Sequence, residues 1–175
     1  KVDLKYSFGP QPVPGYVQVK PGDNYTIDRG YGFDLGSSVT VVDRGGTDPL
    51  KSGFTTGAAD QPFFFSAKLA PGVYRVTVTL GDTKEESTTT VKAETRRLML
   101  EAVHTPAGEI TTKTFLTHLR VPQIPGGQTV ALKSREKDLG TVFLYWKPHQ
   151  PETFMELDWD EKLTLEFSDV HPALC

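Results

Sequence analysis

The stretch Val73-Tyr74-Arg75-Val76-Thr77-Val78-Thr79-Leu80, closed by Gly81-Asp82, decides the fold class of this chain. Apolar and polar residues alternate along it and β-branched residues dominate it, which is the pattern of a half-buried β-strand. Residues 63–69 form a second strand-like run, and Ala70-Pro71-Gly72 between the two runs has the residues of a tight turn. The two runs therefore predict a β-hairpin.

Short strand-like segments continue outward from this hairpin on both sides. The other predicted strands are residues 2–8, 38–42, 87–93, 97–103, 110–121, 129–132, 141–144 and 163–167. No segment has a convincing helical pattern, and many short strands spaced by turns are typical of two antiparallel sheets packed face to face. The sequence thus predicts an all-β fold, an antiparallel β-sandwich or jelly roll. A final apolar stretch at residues 173–175 indicates a last strand that is cut short, as if the chain had been longer.

Two longer regions interrupt this succession of strands and turns. Residues 43–61 are rich in Gly, Thr and Asp without a periodic pattern, which predicts a long surface loop. Residues 145–159 carry several aromatic residues together with prolines, which predicts a second long loop. Because loops of this length in a compact domain usually carry function, both regions are candidate binding regions.

The composition limits the class of protein. A chain of 175 residues suits one domain with its own core. The formal net charge of −3 and the absence of a basic run give no electrostatic case for nucleic acid or anionic lipid. No stretch approaches the ~18 apolar residues of a membrane span. The single cysteine, Cys175, excludes an internal disulfide and a zinc site built from several cysteines.

Motifs of hydrolytic enzymes are incomplete in this chain. A nucleophile elbow, Gly-x-Ser-x-Gly, is absent. Gly81-Asp82-Thr83 resembles the Gly-Asp-Ser of one esterase class but has Thr in place of Ser. Asp169-Val170-His171 is one residue shorter than the Asp-x-x-His element of that class. Since turn chemistry also explains both segments, no catalytic residue is predicted.

No cofactor is predicted either, although one metal site is left open. The four histidines, His104, His118, His149 and His171, do not have the spacing of a shared metal site. Asp158-Trp159-Asp160-Glu161 offers oxygen ligands of the kind that calcium prefers. The alternative is a solvated acidic turn before the strand at residues 163–167, so a structural calcium ion remains an open expectation.

Aromatic residues beside polar residues in two segments indicate carbohydrate binding, because sugar rings stack on aromatic faces and form hydrogen bonds at their edges. The segments are Asp28-Arg29-Gly30-Tyr31-Gly32-Phe33 and Tyr145-Trp146-Lys147-Pro148-His149. The predicted carbohydrate-binding residues are Arg29, Tyr31, Tyr145, Trp146, Lys147 and His149. The alternative is that these aromatic side chains join or cap the core. Arg96-Arg97 is a third polar candidate, of which one side chain at most faces any site, because neighbours on a strand face opposite ways.

Several ordered motifs over nearly the whole chain resemble one family. They are Gly15-Tyr16, residues 28–33, residues 72–82, residues 90–101 and residues 159–167. Together they resemble the N-terminal, galactose-binding-like domain of rhamnogalacturonan acetylesterase-like proteins, which are GDSL (SGNH) hydrolases. In that family the domain is a β-sandwich that precedes a hydrolase domain, which removes acetyl groups from pectin and carries the catalytic motifs.

The resemblance implies an accessory domain and no enzyme in its own right. Residues 1–175 are then a single β-sandwich domain of a longer secreted or periplasmic enzyme. The implied partners are plant cell-wall polysaccharide, with pectin as the expected class, and an adjacent hydrolase domain. The leading hypothesis is a carbohydrate-binding module that holds the enzyme near its substrate. The alternative is a structural domain that packs on the esterase domain without binding sugar.

Overall fold

The computed structural model describes residues 2–94, 97–121, 123–124, 126–129 and 160–175. Within these ranges the chain forms 13 β-strands and one short 3-10 turn at Ala58–Asp60. The strands are β1 (Tyr6–Ser7), β2 (Val17–Gln18), β3 (Tyr31–Asp34), β4 (Val39–Asp43), β5 (Gly53–Gly57), β6 (Phe63–Lys68), β7 (Gly72–Gly81), β8 (Ser87–Ala93), β9 (Arg97–Thr105), β10 (Ile110–Leu119), β11 (Gln123–Ile124), β12 (Gln128–Thr129) and β13 (Lys162–Ser168). In the part of the chain described, no helix has the length and apolar character needed to cross a membrane.

One layer of the fold is a five-stranded sheet in the order β3-β6-β13-β8-β9, with every neighbouring pair antiparallel. Apolar and polar residues alternate along its central strand, β13. Leu163, Leu165 and Phe167 are apolar and belong to the buried core. Lys162, Thr164 and Glu166 are polar and point to the opposite face, because side chains alternate along a strand. Along β13 the sheet therefore has an apolar inner face and a polar outer face.

The second layer is assembled around the last residues of the chain. β4 pairs with β5 and β7 pairs with β10, both antiparallel. Leu174 joins the two pairs, because it forms antiparallel bridges with Thr55 of β5 and with Leu80 of β7. The Leu174 amide donates to the Thr55 carbonyl at 3.0 Å, and the Thr55 amide donates back to the Leu174 carbonyl at 2.8 Å. Residues 173–175 thus act as a short inner strand, as the apolar stretch at the end of the sequence predicted.

The core between the two layers is built mainly from phenylalanine and aliphatic side chains. Phe63 and Phe167 stack with ring centroids 5.2 Å apart, and Phe8 packs edge-on against Phe65 at 5.0 Å. The buried members are Phe8, Val19, Phe33, Phe63, Phe65, Ala67, Val78, Leu80, Val91, Ala93, Phe115, Leu163, Leu165, Phe167 and Leu174. These residues come from both sheets, so the protein is an all-β sandwich, as its sequence predicted.

Two of the predicted local features are wrong. β6 and β7 do not form a hairpin: β6 pairs with β3 and β13 in one sheet, while β7 pairs with β10 in the other. Ala70-Pro71-Gly72 therefore leads the chain across the sandwich. Residues 43–61 do not form one long loop, because β5 lies within them and all five of its residues are buried. The predicted strand at residues 141–144 lies outside the described residues.

Candidate functional site

The polar outer face of the five-stranded sheet carries a connected chain of hydrogen bonds. The hydroxyl groups of Thr164 on β13 and Ser66 on β6 lie 2.8 Å apart. The Ser66 hydroxyl donates to Asp34 Oδ2 at 2.7 Å, and Lys162 Nζ donates to the same oxygen at 2.8 Å. Ser66 and Thr164 are buried although they point away from the core between the sheets. Buried polar groups are stable only when they are hydrogen-bonded, so this chain of contacts fixes the position of the Lys162 ammonium group.

An aromatic ring lies against that ammonium group. Lys162 Nζ is 4.7 Å from the centre of the Tyr25 ring, within the range of a cation–π contact. The Tyr25 amide donates to the Phe33 carbonyl at 2.7 Å, and Asn24 forms a parallel bridge with Phe33, so Tyr25 is held beside the edge strand β3. Tyr25 is only partly buried, so part of the residue is open to solvent.

A second carboxylate completes the group, which we call the outer-face cluster and define as Tyr25, Asp34, Asp160 and Lys162. Asp160 Oδ2 lies 3.5 Å from Lys162 Nζ, and the Lys162 amide donates to Asp160 Oδ1 at 3.2 Å. One ammonium group thus lies between two carboxylates and under one aromatic ring. A second ion pair, between Lys92 and Glu166 at 3.1 Å, lies on the same face one strand away.

The pKa values of the two carboxyl groups in the cluster are shifted from their ordinary value in opposite directions. Burial raises the pKa of Asp160 from 3.8 to about 6, and the more distant Lys162 charge only partly offsets this effect. Burial also acts to raise the pKa of Asp34, but the hydrogen bonds from Lys162 and Ser66 outweigh it and lower that pKa below 3.8. Asp34 is therefore the main counter-ion of Lys162. Asp160 is a largely buried acid whose pKa of about 6 favours its protonated form at mildly acidic pH.

The outer-face cluster has the chemistry that sugar recognition requires. A partly exposed tyrosine ring offers a face for the apolar side of a sugar. An ammonium donor and carboxylate acceptors beside the ring suit the hydroxyl groups at the sugar edge. The supporting hydrogen bonds come from sheet strands, which hold the groups more rigidly than loops do. A neutral, hydroxyl-rich ligand fits this arrangement.

The structure describes two of the predicted carbohydrate-binding residues, Arg29 and Tyr31. Arg29 lies on the loop before β3, where one guanidinium nitrogen donates to the Asn24 carbonyl at 2.6 Å and another lies 3.6 Å from Asp23. It therefore supports the segment that carries Tyr25. Tyr31 turns the other way and packs against Tyr6, with ring centroids 5.3 Å apart. Of the two residues, Arg29 contacts the segment that carries Tyr25, and Tyr31 packs on Tyr6 instead.

The other predicted site residues are placed as follows. Tyr145, Trp146, Lys147 and His149 lie outside the described residues, and their role remains a prediction. Of the adjacent arginines, Arg96 also lies outside them, while Arg97 donates from its guanidinium group to the His118 carbonyl at 3.2 Å. Calcium binding at residues 158–161 stays untested, although Asp160 of that segment belongs to the outer-face cluster.

Sequence reasoning missed most of the outer-face cluster. Tyr25 belongs to Asn24-Tyr25-Thr26, which attracts attention only as a glycosylation sequon. Lys162 and Asp34 are separated by 128 residues, and only the strand order of the sheet brings them together. One signal was available: the polar residues of the strand at 162–167 alternate strictly with its apolar residues, which marks a polar face opposite the core.

A second polar cluster brings the two esterase-like segments together. Asp82 Oδ2 lies 3.2 Å from His171 Nε2, and the Asp82 side chain is fully buried. Arg44 donates to both carboxylate oxygens of Asp82, at 2.9 and 2.6 Å, and also lies 3.2 Å from Glu85. Asp82, Glu85 and His171 are close enough to share a cation, but the Arg44 guanidinium group already supplies a positive charge there. This cluster joins the β4–β5 side of the second sheet to the end of β7.

The nearby cysteine is not an activated nucleophile. Cys175 Sγ lies 3.5 Å from the Gly81 carbonyl and is buried. Burial raises the pKa of the Cys175 thiol to about 12, and the Asp82 charge acts in the same direction. Because the thiolate is the reactive form of cysteine, we expect this thiol to react slowly in the folded protein.

Comparison with known proteins identifies the fold family of the chain. Residues 4–117, more than half of the chain, match the family described as beta-agarase/YXIM esterase-like, galactose-binding domain-like. The crystal structure of protein YXIM from Bacillus subtilis is similar, with a TM-score of 0.53 and 19% sequence identity. The match covers 96% of this chain and 40% of that protein, so the chain spans less than half of its length. No curated protein matches the chain. These matches confirm the galactose-binding-like fold that the sequence motifs implied.

Proposed function

The chain belongs to the family of galactose-binding-like domains of beta-agarase/YXIM esterase-like proteins, and on that premise we propose that it is a non-catalytic carbohydrate-binding domain. The observation that carries the proposal is the partly exposed Tyr25 ring beside Lys162 and two carboxylates on a rigid sheet face. A flat ring flanked by fixed donors and acceptors is the arrangement that sugars require.

The proposal has a finer part that concerns the ligand and the setting. The ligand class is a plant cell-wall polysaccharide, with pectic rhamnogalacturonan as the first candidate. The domain belongs to a secreted enzyme and works beside a hydrolase domain, which it holds near its polymeric substrate at raised effective concentration. Two features support this part: the resemblance to acetylesterase-like proteins, and the family description, which names beta-agarase and esterase-like proteins.

Native affinity electrophoresis tests both parts. The chain is run through gels that contain rhamnogalacturonan, galactan, agarose or xylan, with and without calcium. We expect one polymer to retard the chain selectively. Tyr25→Ala should weaken that retardation about tenfold, because one aromatic contact contributes about 0.5–1.5 kcal/mol beyond the area that it buries. Lys162→Met should weaken it as well.

The matched control is Tyr16→Ala. Tyr16 is also a partly exposed tyrosine, but it does not belong to the outer-face cluster. The centre of its ring lies 6.0 Å from Lys5 Nζ, near the N-terminal segment. Its loss should leave retardation unchanged. If Tyr25→Ala and Tyr16→Ala bind a polymer as well as the parent chain does, the binding site is not the outer-face cluster. If no polymer retards the parent chain, carbohydrate binding itself is refuted.

A second candidate function is a structural accessory domain that packs on a hydrolase domain without binding sugar. Exposed apolar side chains of the N-terminal segment favour it: Val2 and Leu4 are 59% and 50% exposed and lie beside a large cavity. Exposed apolar residues that line a cavity indicate contact with another part of a protein. This function predicts no retardation by any polymer.

A further inference from the structure

One ammonium group in the outer-face cluster serves two carboxylates. Lys162 Nζ lies 2.8 Å from Asp34 Oδ2 and 3.5 Å from Asp160 Oδ2, and the three side chains are only 14%, 16% and 13% exposed. Because water screens largely buried charges weakly, their fields extend to a ligand that binds beside them. The positive charge that could attract an acidic ligand is therefore already engaged by acids of this chain.

The two acids differ in how well their charge is compensated. Lys162 and Ser66 both donate to Asp34 Oδ2, and the Leu35 amide donates to Asp34 Oδ1 at 2.7 Å. Asp160 lies farther from Lys162 Nζ, and burial raises its pKa to about 6 although Lys162 acts to lower it. A raised pKa means that the negative charge of Asp160 is only partly compensated. Asp34 therefore balances Lys162, and Asp160 is the acid whose charge acts on a ligand.

The Tyr25 phenol group responds to the same charges at the place proposed for a sugar, because its ionised form is an anion. Burial raises the pKa of Tyr25 above 10, and Lys162, 4.7 Å from the ring centre, acts to lower it. Asp160 and Asp34 both act in the same direction as burial. The two carboxylates thus oppose a further negative charge beside this ring.

Neutral and acidic sugars differ in how they suit these charges. The hydroxyl groups of a neutral sugar donate hydrogen bonds to carboxylates and accept them from an ammonium group. A uronate has a carboxylate in place of a primary hydroxyl group, and a carboxylate only accepts hydrogen bonds. A uronate stacked on Tyr25 brings a second negative charge toward Asp160, and like charges placed together at a binding surface oppose association.

From this arrangement we infer that Asp160 makes the outer-face cluster selective for uncharged sugar units over uronates. The inference rests on the proposed carbohydrate binding and narrows its ligand: in a polymer such as rhamnogalacturonan, the neutral units are bound and the galacturonate units are rejected. Selection works by repulsion, because Asp34 already balances Lys162 and Asp160 adds a charge of the same sign as the uronate.

Pairs of polymers that differ only in charge test this selection at about pH 8, where both acids are ionised. Galactan and agarose are each compared with a form whose primary hydroxyl groups have been oxidised to carboxylates, and rhamnogalacturonan with its carboxyl-reduced form. Titration calorimetry measures the two affinities of each pair. We expect the parent chain to bind the uncharged member about fivefold more tightly or better, and this ratio should fall to about twofold or less in Asp160→Asn. Because the readout is a ratio, a general change in binding by the variant cancels.

The matched control is Glu109→Gln. Glu109 is exposed in the connection between β9 and β10, and its replacement changes the net charge of the chain by the same amount. This variant should keep the ratio of the parent chain, because the overall charge of −3 is not what selects the ligand. Equal binding of both members by the parent chain, or the same ratio in the two variants, overturns the inference and leaves carbohydrate binding intact. If no member of any pair binds, carbohydrate binding is refuted and the inference with it.

Discussion

At the scale of single residues, the outer-face cluster places one cation between two unequal acids. Lys162 Nζ is 2.8 Å from Asp34 and 3.5 Å from Asp160. Asp34 also accepts the Ser66 hydroxyl, whereas Asp160 Oδ2 has no hydrogen-bond partner among the described residues. The nearer, better-bonded carboxylate stays ionised, and the largely buried position of the other favours its protonated form.

This asymmetry predicts how stability depends on pH. The pKa of Asp160 is about 6 in the folded protein and 3.8 as the ordinary value. Between these values the folded protein holds a proton that the unfolded chain has released. The free energy of unfolding therefore falls as pH rises from about 4 to 6, and it stays lower above pH 6. The lowered pKa values of Asp34 and Asp82 act in the opposite direction, but only at pH values below about 4.

Asp160→Asn should remove this pH dependence. An amide resembles the protonated acid, and Lys162 keeps Asp34 as its partner. At pH 7 the variant should be more stable than the parent chain by about 1–3 kcal/mol, with little difference at pH 4. Urea unfolding of the variant and of the parent chain at a series of pH values measures this difference in the free energy of unfolding. Asp28→Asn, which removes an exposed carboxylate, is the control for a general charge effect. A parent chain that grows more stable from pH 4 to 6 would contradict the pKa direction.

At the scale of elements, the sequence predicts strands better than it predicts their partners. The strands predicted at residues 73–80 and 87–93 match β7 and β8 closely. Pairing is decided by distant residues: β6 prefers β13, almost a hundred residues away, to the neighbouring β7. Local turn residues could not reveal this preference. β5, with the sequence Gly-Phe-Thr-Thr-Gly, was missed because its glycines resemble a loop, although each allows a close backbone approach.

The same limit explains the candidate site. Each member of the outer-face cluster is an ordinary residue in its own segment, and only the sheet order β3-β6-β13 brings the members together. Loop aromatics such as Tyr31 were the visible signal in the sequence, yet the structure directs Tyr31 toward Tyr6. What the sequence does contain is the polar alternation of β13, which indicates a functional face without identifying its partners.

Gly32 in β3 carries a prediction at this scale, because it lets the Tyr25 segment approach the sheet. Its φ is +144°, and an added Cβ would collide with the Asp23 carbonyl and lie 2.6 Å from the Tyr25 amide nitrogen. Gly32→Ala should reduce the free energy of unfolding by about 1–3 kcal/mol. It should also weaken polysaccharide retention, because Tyr25 is displaced.

The control for this prediction is Gly22→Ala. Gly22 lies on the turn before Asp23, and an added Cβ there meets nothing within 4 Å. Its effect should stay within about 0.5 kcal/mol in urea unfolding. Equal stability of the two variants would mean that the Tyr25 segment does not pack closely on β3.

At the scale of the whole molecule, the sandwich is closed by residues from the two ends of the described chain. Phe8, near the start, packs in the core and its carbonyl accepts the Thr55 hydroxyl at 2.7 Å. Leu174, near the end, joins β5 to β7. The second sheet therefore becomes continuous only when the final residues are in place. Folding should depend on these long-range contacts, and a fold of this kind forms slowly compared with helical proteins.

Leu174→Ala tests whether this inner strand holds the second sheet together. Leu174 is 3% exposed, and its truncation should cost about 2–5 kcal/mol of unfolding free energy. Val170→Ala, at a position 71% exposed and four residues earlier, should change stability by less than about 0.5 kcal/mol.

The reactivity of Cys175 gives an independent measurement. Its buried thiol, with a pKa raised to about 12, should react slowly with a thiol reagent in the parent chain. In Leu174→Ala the reaction should be faster because the inner strand separates more often from β5 and β7. If the two variants are equally stable and their thiols react at equal rates, residues 173–175 do not hold the second sheet together.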